Sequence, residues 1–279
     1  MYKIISTVAL SLSLSTAVHA GSGRTVIDPQ VSGMQSIGIL RGDTPEGAWV
    51  GGMVAIAQTA CHVAATTAGH NIKDGMGKPT APLEKISLIF AGVELQVIHA
   101  LTDPFEISTT PPEHDWAVVI AKKPTCGMNF PVLTPQVTTA SVLPSEGAAV
   151  RMACYHHDKK ELKNKLSHES CRLYAPGQKF ERLYQNKRGH PLGVHNCTAN
   201  LGTSGCPLII NADGHPRFIG TQIEAHYKTG AGVARLFDGQ YVKAYEAALD
   251  KMISLSDQPI VQQPEQALVS LAANAEQPD

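Results

Sequence analysis

Between Ser36 and Phe237 the chain is a succession of short apolar runs cut by Gly, Pro and Asp, and this spacing restricts it to an all-β architecture. The runs are Ser36–Leu40, Gly51–Ala57, Lys85–Ala91, Glu94–Leu101, Ala117–Ile120, Gly147–Cys154, Cys171–Tyr174, Arg217–Ile223 and Gly232–Phe237. Each has strand length and is bounded by residues that favour turns. Gly92-Val93 between the third and fourth runs predicts a hairpin. Small residues on both sides of His62, continuing to Gly69, suit a short buried helical turn. One stretch repeats apolar residues at helical spacing: Tyr241, Val242, Tyr245, Ala248, Leu249, Met252 and Ile253, with Asp238 placed to cap it. Many short strands and one late helix point to an all-β barrel or sandwich. The Pro-punctuated connection Lys122–Val137 divides the strands into two halves, 21–125 and 126–239. A helix over 240–256 and a Gln-, Pro- and Ala-rich tail over 257–279 follow.

The first twenty residues read differently from the rest. Lys3 supplies a positive start, Ile4 to Val18 is uncharged and largely apolar, and Val18-His19-Ala20 places small residues at a cleavage site. This is the pattern of a secretory signal peptide over 1–20, which puts the mature chain outside the cell or in the periplasm. The run is short for a membrane span, so no membrane partner is expected. Six cysteines in an exported chain favour disulfides, and with no C-x-x-C pair a metal site is not expected. Six cysteines allow fifteen connectivities, and their spacing does not choose among them. A net charge of −1 with no basic stripe excludes a nucleic-acid partner.

Chemistry enters at Gly202-Thr203-Ser204-Gly205-Cys206-Pro207-Leu208. A serine between glycines can be a plain turn. The same turn can also present a hydroxyl beside two N–H groups, those of Gly202 and Ser204, which is what acyl transfer requires. A serine hydroxyl needs a base, and the base needs an acid to hold its tautomer. His62, in Thr59-Ala60-Cys61-His62, is the base expected from the sequence. Asp115, in Asp115-Trp116-Ala117-Val118-Val119, is the expected acid, partly desolvated at the head of an apolar strand. A core histidine and a surface acid are the plainer readings of those two residues taken singly. Their order along the chain with Ser204 is what links them.

That order and those contexts resemble the chymotrypsin-like serine peptidases, over about residues 25–255. The family's T-A-A-H motif is matched by Thr59 to His62, its D-x-A-L-L motif by Asp115 to Val119, and its G-D-S-G-G-P-L motif by Gly202 to Leu208. Val97-Ile98-His99, Phe218-Ile219-Gly220 and Gly232-Val233 agree as well, and Cys197 to Pro207 has the spacing of the secreted bacterial, glutamyl-endopeptidase-like branch. The resemblance implies two packed six-stranded antiparallel β-barrels with a C-terminal helix. The first barrel would carry His62 and Asp115, the second Ser204, and the Gly202 and Ser204 N–H groups would form the oxyanion hole. It further implies a monomeric endopeptidase acting on protein or peptide substrates through an acyl-enzyme, without a cofactor.

The sequence also departs from the family. Val63 stands where the family has a cysteine after the histidine, and Thr203 replaces the aspartate that receives a new N-terminal ammonium in the trypsin branch. Trypsin-style activation is therefore expected to be absent. In the family fold the strands bearing Cys154 and Cys206 pair antiparallel, which implies a Cys154–Cys206 bridge. Cys171–Cys197 resembles a bridge of the bacterial branch, and Cys61–Cys126 is the pair that remains. The resemblance places Thr198 near the base of the primary pocket with Ala199 beside it, and Ile223, Glu224, Ala225 and Gly232 along its walls. No aspartate falls at the base, and Gln222 stands where glutamate-specific relatives carry a histidine, so neither basic nor acidic preference is supported. Two rival readings are a protease-fold binding protein with weak or no catalysis, and cysteine-based catalysis by Cys61 or Cys206.

Overall fold

A computed structural model describes residues 23–32, 34–45, 47–74, 77–103, 112–155, 165–176, 191–200, 202–226 and 230–256. The predicted leader, 1–20, and the predicted tail, 257–279, lie outside the described residues. The chain opens with a two-residue strand, β1 (Thr25–Val26), and a short helix, α1 (Pro29–Ser32). The first barrel follows: β2 (Ile37–Thr44), β3 (Gly47–Gln58), β4 (His62–Thr67), β5 (Ile86–Phe90), β6 (Val93–Thr102) and β7 (Ala117–Lys122). These pair antiparallel in the order β2-β3-β4-β7-β6-β5, and β5 returns to β2 to close the ring. The β5–β6 hairpin turns on Ala91 and Gly92, both at positive φ, with Phe90 opposite Val93. That is the primed turn whose twist matches the two strands.

After a bridging strand, β8 (Thr134–Pro135), come β9 (Ala148–Tyr155), β10 (Leu166–Tyr174), β11 (Leu192–His195), β12 (Pro207–Ala212), β13 (His215–His226) and β14 (Ala231–Leu236). β9, β10, β11, β14, β13 and β12 form a second closed ring, completed where Leu208 and Ile209 face Met152 and Arg151. β1 pairs with β10, and β8 runs parallel to β13. Between the barrel and sandwich alternatives, the chain takes two six-stranded antiparallel barrels and one C-terminal helix. One expectation is corrected: the residues after His62 form strand β4, and the helical turn is confined to Gly69–Asn71. Val63, Thr66 and Thr67 are β-branched and buried, which suits a strand buried on both faces better than a helix.

The helix α2 (Gly239–Ser254) starts where expected, with Asp238 accepting from the N–H groups of Gln240 and Tyr241. It buries Tyr241, Ala244, Ala248 and Met252 and packs on β4, β6 and β7 of the first barrel, although it leaves from the second. Leu40, Leu88, Leu95 and Val119 fill the first barrel. Val150, Leu173, Leu208 and Leu236 fill the second. A third cluster joins Val54, Val118 and Ile120 of the first barrel to Ile209 and Phe218 of the second and to the helix. The barrels therefore meet through shared apolar surface, within which Thr66 Oγ1 and Thr221 Oγ1 make a buried hydrogen bond at 3.0 Å.

Two of the three disulfides follow the strand register. Leu208 opposite Met152 puts Cys206 opposite Cys154 two residues on, and these are bonded. Leu173 opposite His195 likewise puts Cys171 opposite Cys197, and these are bonded. Cys61–Cys126 ties the start of β4 to the connection after β7.

Candidate active site

The acid and its histidine are brought together by the β4–β7 ladder. Its register runs from His62 opposite Lys122 to Thr67 opposite Ala117. Asp115, two residues before Ala117, therefore lies beyond the far end of β4, where the chain turns through Gly69–Asn71. There the His70 N–H donates to Asp115 Oδ1 at 2.8 Å, and His70 Nδ1 lies 2.7 Å from Asp115 Oδ2. Gly69 permits this approach, since a Cβ on it would fall 2.9 Å from the Trp116 nitrogen and 3.1 Å from Asp115 Oδ1. Burial by itself would lower the His70 pKa. The hydrogen bond and charge of Asp115 outweigh it and hold the imidazole above the ordinary histidine value.

The structure does not bring His62 to Asp115, and the expected pairing of these two residues is corrected: the histidine on Asp115 is His70. His62 sits at the opposite end of β4, roughly 17 Å from Thr67 at the usual rise per strand residue. Its Nδ1 lies 3.1 Å from Ser256 Oγ, at the end of α2. Burial, with Lys122 and Lys123 adding to it, lowers its pKa. The signal that identifies His70 was present: Thr67-Ala68-Gly69-His70 repeats the T-A-x-H pattern eight residues later, after the apolar strand instead of before it. With His70 in this place, the residue after the histidine is Asn71 and not Val63. Asn71 occupies the space beside Gly51, where a Cβ would fall 2.4 Å from Asn71 Nδ2.

Ser204 reaches the same place from the second barrel. Gly202 and Gly205 both have positive φ, +85° and +91°. Thr203 closes the turn locally: its hydroxyl donates to Asn200 O at 2.7 Å and accepts from the Asn200 N–H at 3.1 Å. Behind the turn, the Gly205 N–H donates to Gln222 O and the Gln222 N–H to Cys206 O. In front, the Ser204 carbonyl accepts from the Gly52 N–H at 2.7 Å and from Asn71 Nδ2 at 3.1 Å. Asn71 Nδ2 also donates to Thr67 Oγ1, which in turn donates to Gly52 O. This contact needs a glycine at 205, because a Cβ there would come within 2.0 Å of Gly52 O and 2.3 Å of Thr67 Oγ1. The immediate neighbour of His70 thus holds the backbone of Ser204. Among the described residues, the N–H groups of Gly202 and Ser204 donate to no backbone carbonyl.

Of the residues that the resemblance assigns to a primary pocket, Gln222 lies directly behind this turn. Gln222 and His195 are both buried, and His195 Nε2 is hydrogen-bonded to Gln222 Oε1. Burial pushes the His195 pKa down to about 4, against a smaller opposing pull from Gln222. The ring is therefore neutral and donates through Nε2, which turns the Gln222 amide so that Nε2 donates to Glu224 O at 2.7 Å. Gly232 makes room for the pair, a Cβ there falling 2.2 Å from His195 Cε1. Ile223 is buried against Ala68, Leu192 and Val233. Ala225 pairs with Gly232, Ala199 is half-buried and Glu224 is exposed. Thr198 gives its N–H and its hydroxyl to the two oxygens of Glu169, at 2.9 and 3.1 Å. Sequence reasoning named neither His195 nor Glu169, because their partners Gln222 and Thr198 stand 27 and 29 positions away. Cys171, His195 and Cys197 lie within 4.8 Å of one another, but the two sulfurs are spent on one disulfide.

No protein-family model matches this sequence, and no curated protein matches it. Solved structures do. A glutamyl endopeptidase in complex with MPD superposes with a TM-score of 0.60 at 15% identity, covering 81% of this chain and 96% of its own. The protease Anisep from Arthrobacter nicotinovorans gives 0.60 at 13% identity, covering 77% of this chain and 95% of its own. A thermostable serine protease, AL20, from an extremophilic microorganism gives 0.56 at 16% identity, covering 77% and 96%. At these identities the likeness is one of fold: the chain has the double barrel of chymotrypsin-like serine proteases.

Proposed function

We propose that this chain is an exported serine endopeptidase in which Ser204 is the nucleophile, His70 the general base and Asp115 the acid that orients it. The observation that carries this reading is the double hydrogen bond of Asp115 to His70 N and Nδ1, with the adjacent Asn71 gripping the Ser204 carbonyl. Nδ1–H donated to Asp115 leaves His70 Nε2 as the acceptor for the Ser204 proton. Attack of Ser204 Oγ on a peptide carbonyl would then place the developing oxyanion at the Gly202 and Ser204 N–H groups. His70 would return the proton to the leaving amine, and water would release the acyl-enzyme by the same steps. A peptide substrate fits the protease fold, and disulfides fit an exported protein. The raised His70 pKa sets the acid limb of kcat/KM above the ordinary histidine value, with rate rising as pH climbs through it.

Labelling with a serine-reactive fluorophosphonate tests the assignment. The mature protein is expected to label, Ser204→Ala and His70→Ala to lose the label, and His62→Ala to keep it. Labelling that survives Ser204→Ala, or that needs His62 and not His70, overturns the triad. A folded protein that does not label at all supports a binding role for the same scaffold.

A further inference from the structure

The turn that carries Asp115 is itself held by groups at the end of β6, on β14 and in the first turn of α2. Pro112–His114 form a single 3-10 turn, closed by the Asp115 N–H on Pro112 O at 3.1 Å, with the Trp116 N–H on His114 O at 3.0 Å. So short a turn has no ladder of its own, and external contacts set its orientation. His114 Nδ1 lies 2.8 Å from Oδ2 of Asp103, whose side chain is fully buried. The same oxygen accepts from Gln240 Nε2, in the first turn of α2, at 2.7 Å. From β14 the buried Arg235 donates Nε to Glu113 O, Nη1 to Leu236 O and Nη2 to Asp238 Oδ1. The two residues ahead of Asp115 are therefore both fastened, Glu113 by its carbonyl and His114 by its ring, to groups that lead into the second barrel and the helix. Among the described residues, the titratable and charged groups around this turn include His70, Asp103, Glu113, His114, Asp115, Arg235, Asp238 and Lys73, whose Nζ donates to Asp103 O.

We propose that His114 is a positioning residue for the hydrolytic reaction: its bond to Asp103, backed by the Arg235–Glu113 contact, aims the Asp115 carboxylate at His70. The inference rests on reading Asp115 and His70 as a catalytic pair. A neutral His114 with its proton on Nδ1 satisfies the contact, so the device requires a donor and not a charge. An asparagine amide supplies the same donor at nearly the same distance from the backbone, whereas leucine supplies none. A carboxylate displaced by about 1 Å is enough to cost on the order of tenfold to a hundredfold in rate.

In His114→Leu, kcat is expected to fall about tenfold or more with KM nearly unchanged, by the same misplacement argument. The acid limb of kcat/KM should move to lower pH, since His70 loses the well-placed carboxylate that raises its pKa. His114→Asn should restore both. The His70 imidazole titration followed by NMR in the full-length Ser204→Ala protein gives a readout that needs no turnover. It therefore decides this proposal even if the chain proves not to be a hydrolase, a failure that loss of wild-type labelling would reveal separately. If His114→Leu does not fold, Gln240→Leu takes its place and should lower the His70 titration by a smaller amount. An unchanged His70 titration in the folded Leu variant, or an Asn variant as impaired as the Leu variant, overturns the proposal.

Discussion

His195 shows how one enclosed side chain contributes to the acid response of the molecule. Its folded pKa is about 4, depressed by burial, with the Gln222 hydrogen bond pulling weakly the other way. In the unfolded chain it titrates near 6.5. Between these values the unfolded state binds a proton that the native state refuses. The stabilisation is fully present above 6.5 and declines as the pH falls through that window. A shift of this size corresponds to roughly 3 kcal/mol. His70 has the opposite sign: its raised pKa stabilises below the unfolded value, and that contribution fades as pH rises through the folded one. Urea midpoints of the wild type should therefore drop more steeply with acidification than those of His195→Gln. Parallel curves for the two proteins would remove His195 from the account.

At the level of strands and turns, the Ser204 turn is held by a cross-strand staple. Cys206, two residues after Ser204, is bonded to Cys154 on the neighbouring β9. Thr203 ties the turn locally through its two hydrogen bonds to Asn200. Gly52 passes so close that a Cβ on it would fall 2.2 Å from Cys206 Sγ, and the staple is packed on both sides. Replacing both cysteines by alanine should lower stability by about 2–4 kcal/mol, the usual contribution of a native bridge. Equilibrium denaturation under non-reducing conditions measures this. A variant as stable as the wild type would mean that packing alone holds the turn.

For the molecule as a whole, the helix is the strap. It leaves the second barrel at Leu236, buries Tyr241, Ala248 and Met252 against the first barrel, and places Ser256 on His62. Trp116, Tyr241, Phe237 and Phe218 form one aromatic chain from the Asp115 turn into the second barrel. The Tyr241 hydroxyl, whose pKa burial pushes up to about 12, lies within reach of Thr221 Oγ1 and the Ala117 carbonyl. With a common core of this kind, the barrels should unfold together. Fluorescence reports on Trp49 and Trp116, both in the first half of the chain, and far-UV circular dichroism on all strands. The two denaturation curves are expected to coincide. A fluorescence transition that separates from the other curve would show that the barrels are independent.

Local pattern determined a good deal of this protein by itself. The strand runs, the hairpin at Gly92, the Asp238 cap and the helical stripe from Tyr241 to Ile253 are each written in a few consecutive residues, because steric preferences and side-chain periodicity act over that range. The Ser204 turn and the apolar strand behind Asp115 are legible for the same reason. The choice of histidine was not. T-A-x-H occurs twice, ending at His62 and at His70, and the two ends of one strand look alike when read locally. Only the antiparallel register of β4 against β7 decides which end meets Asp115, and that register joins residues about fifty to sixty positions apart. The partnerships of Glu169 with Thr198, His195 with Gln222, and Arg235 with Glu113 are of the same kind. Each is a hydrogen bond between groups that become neighbours only when the barrels close, so tertiary structure alone decided them.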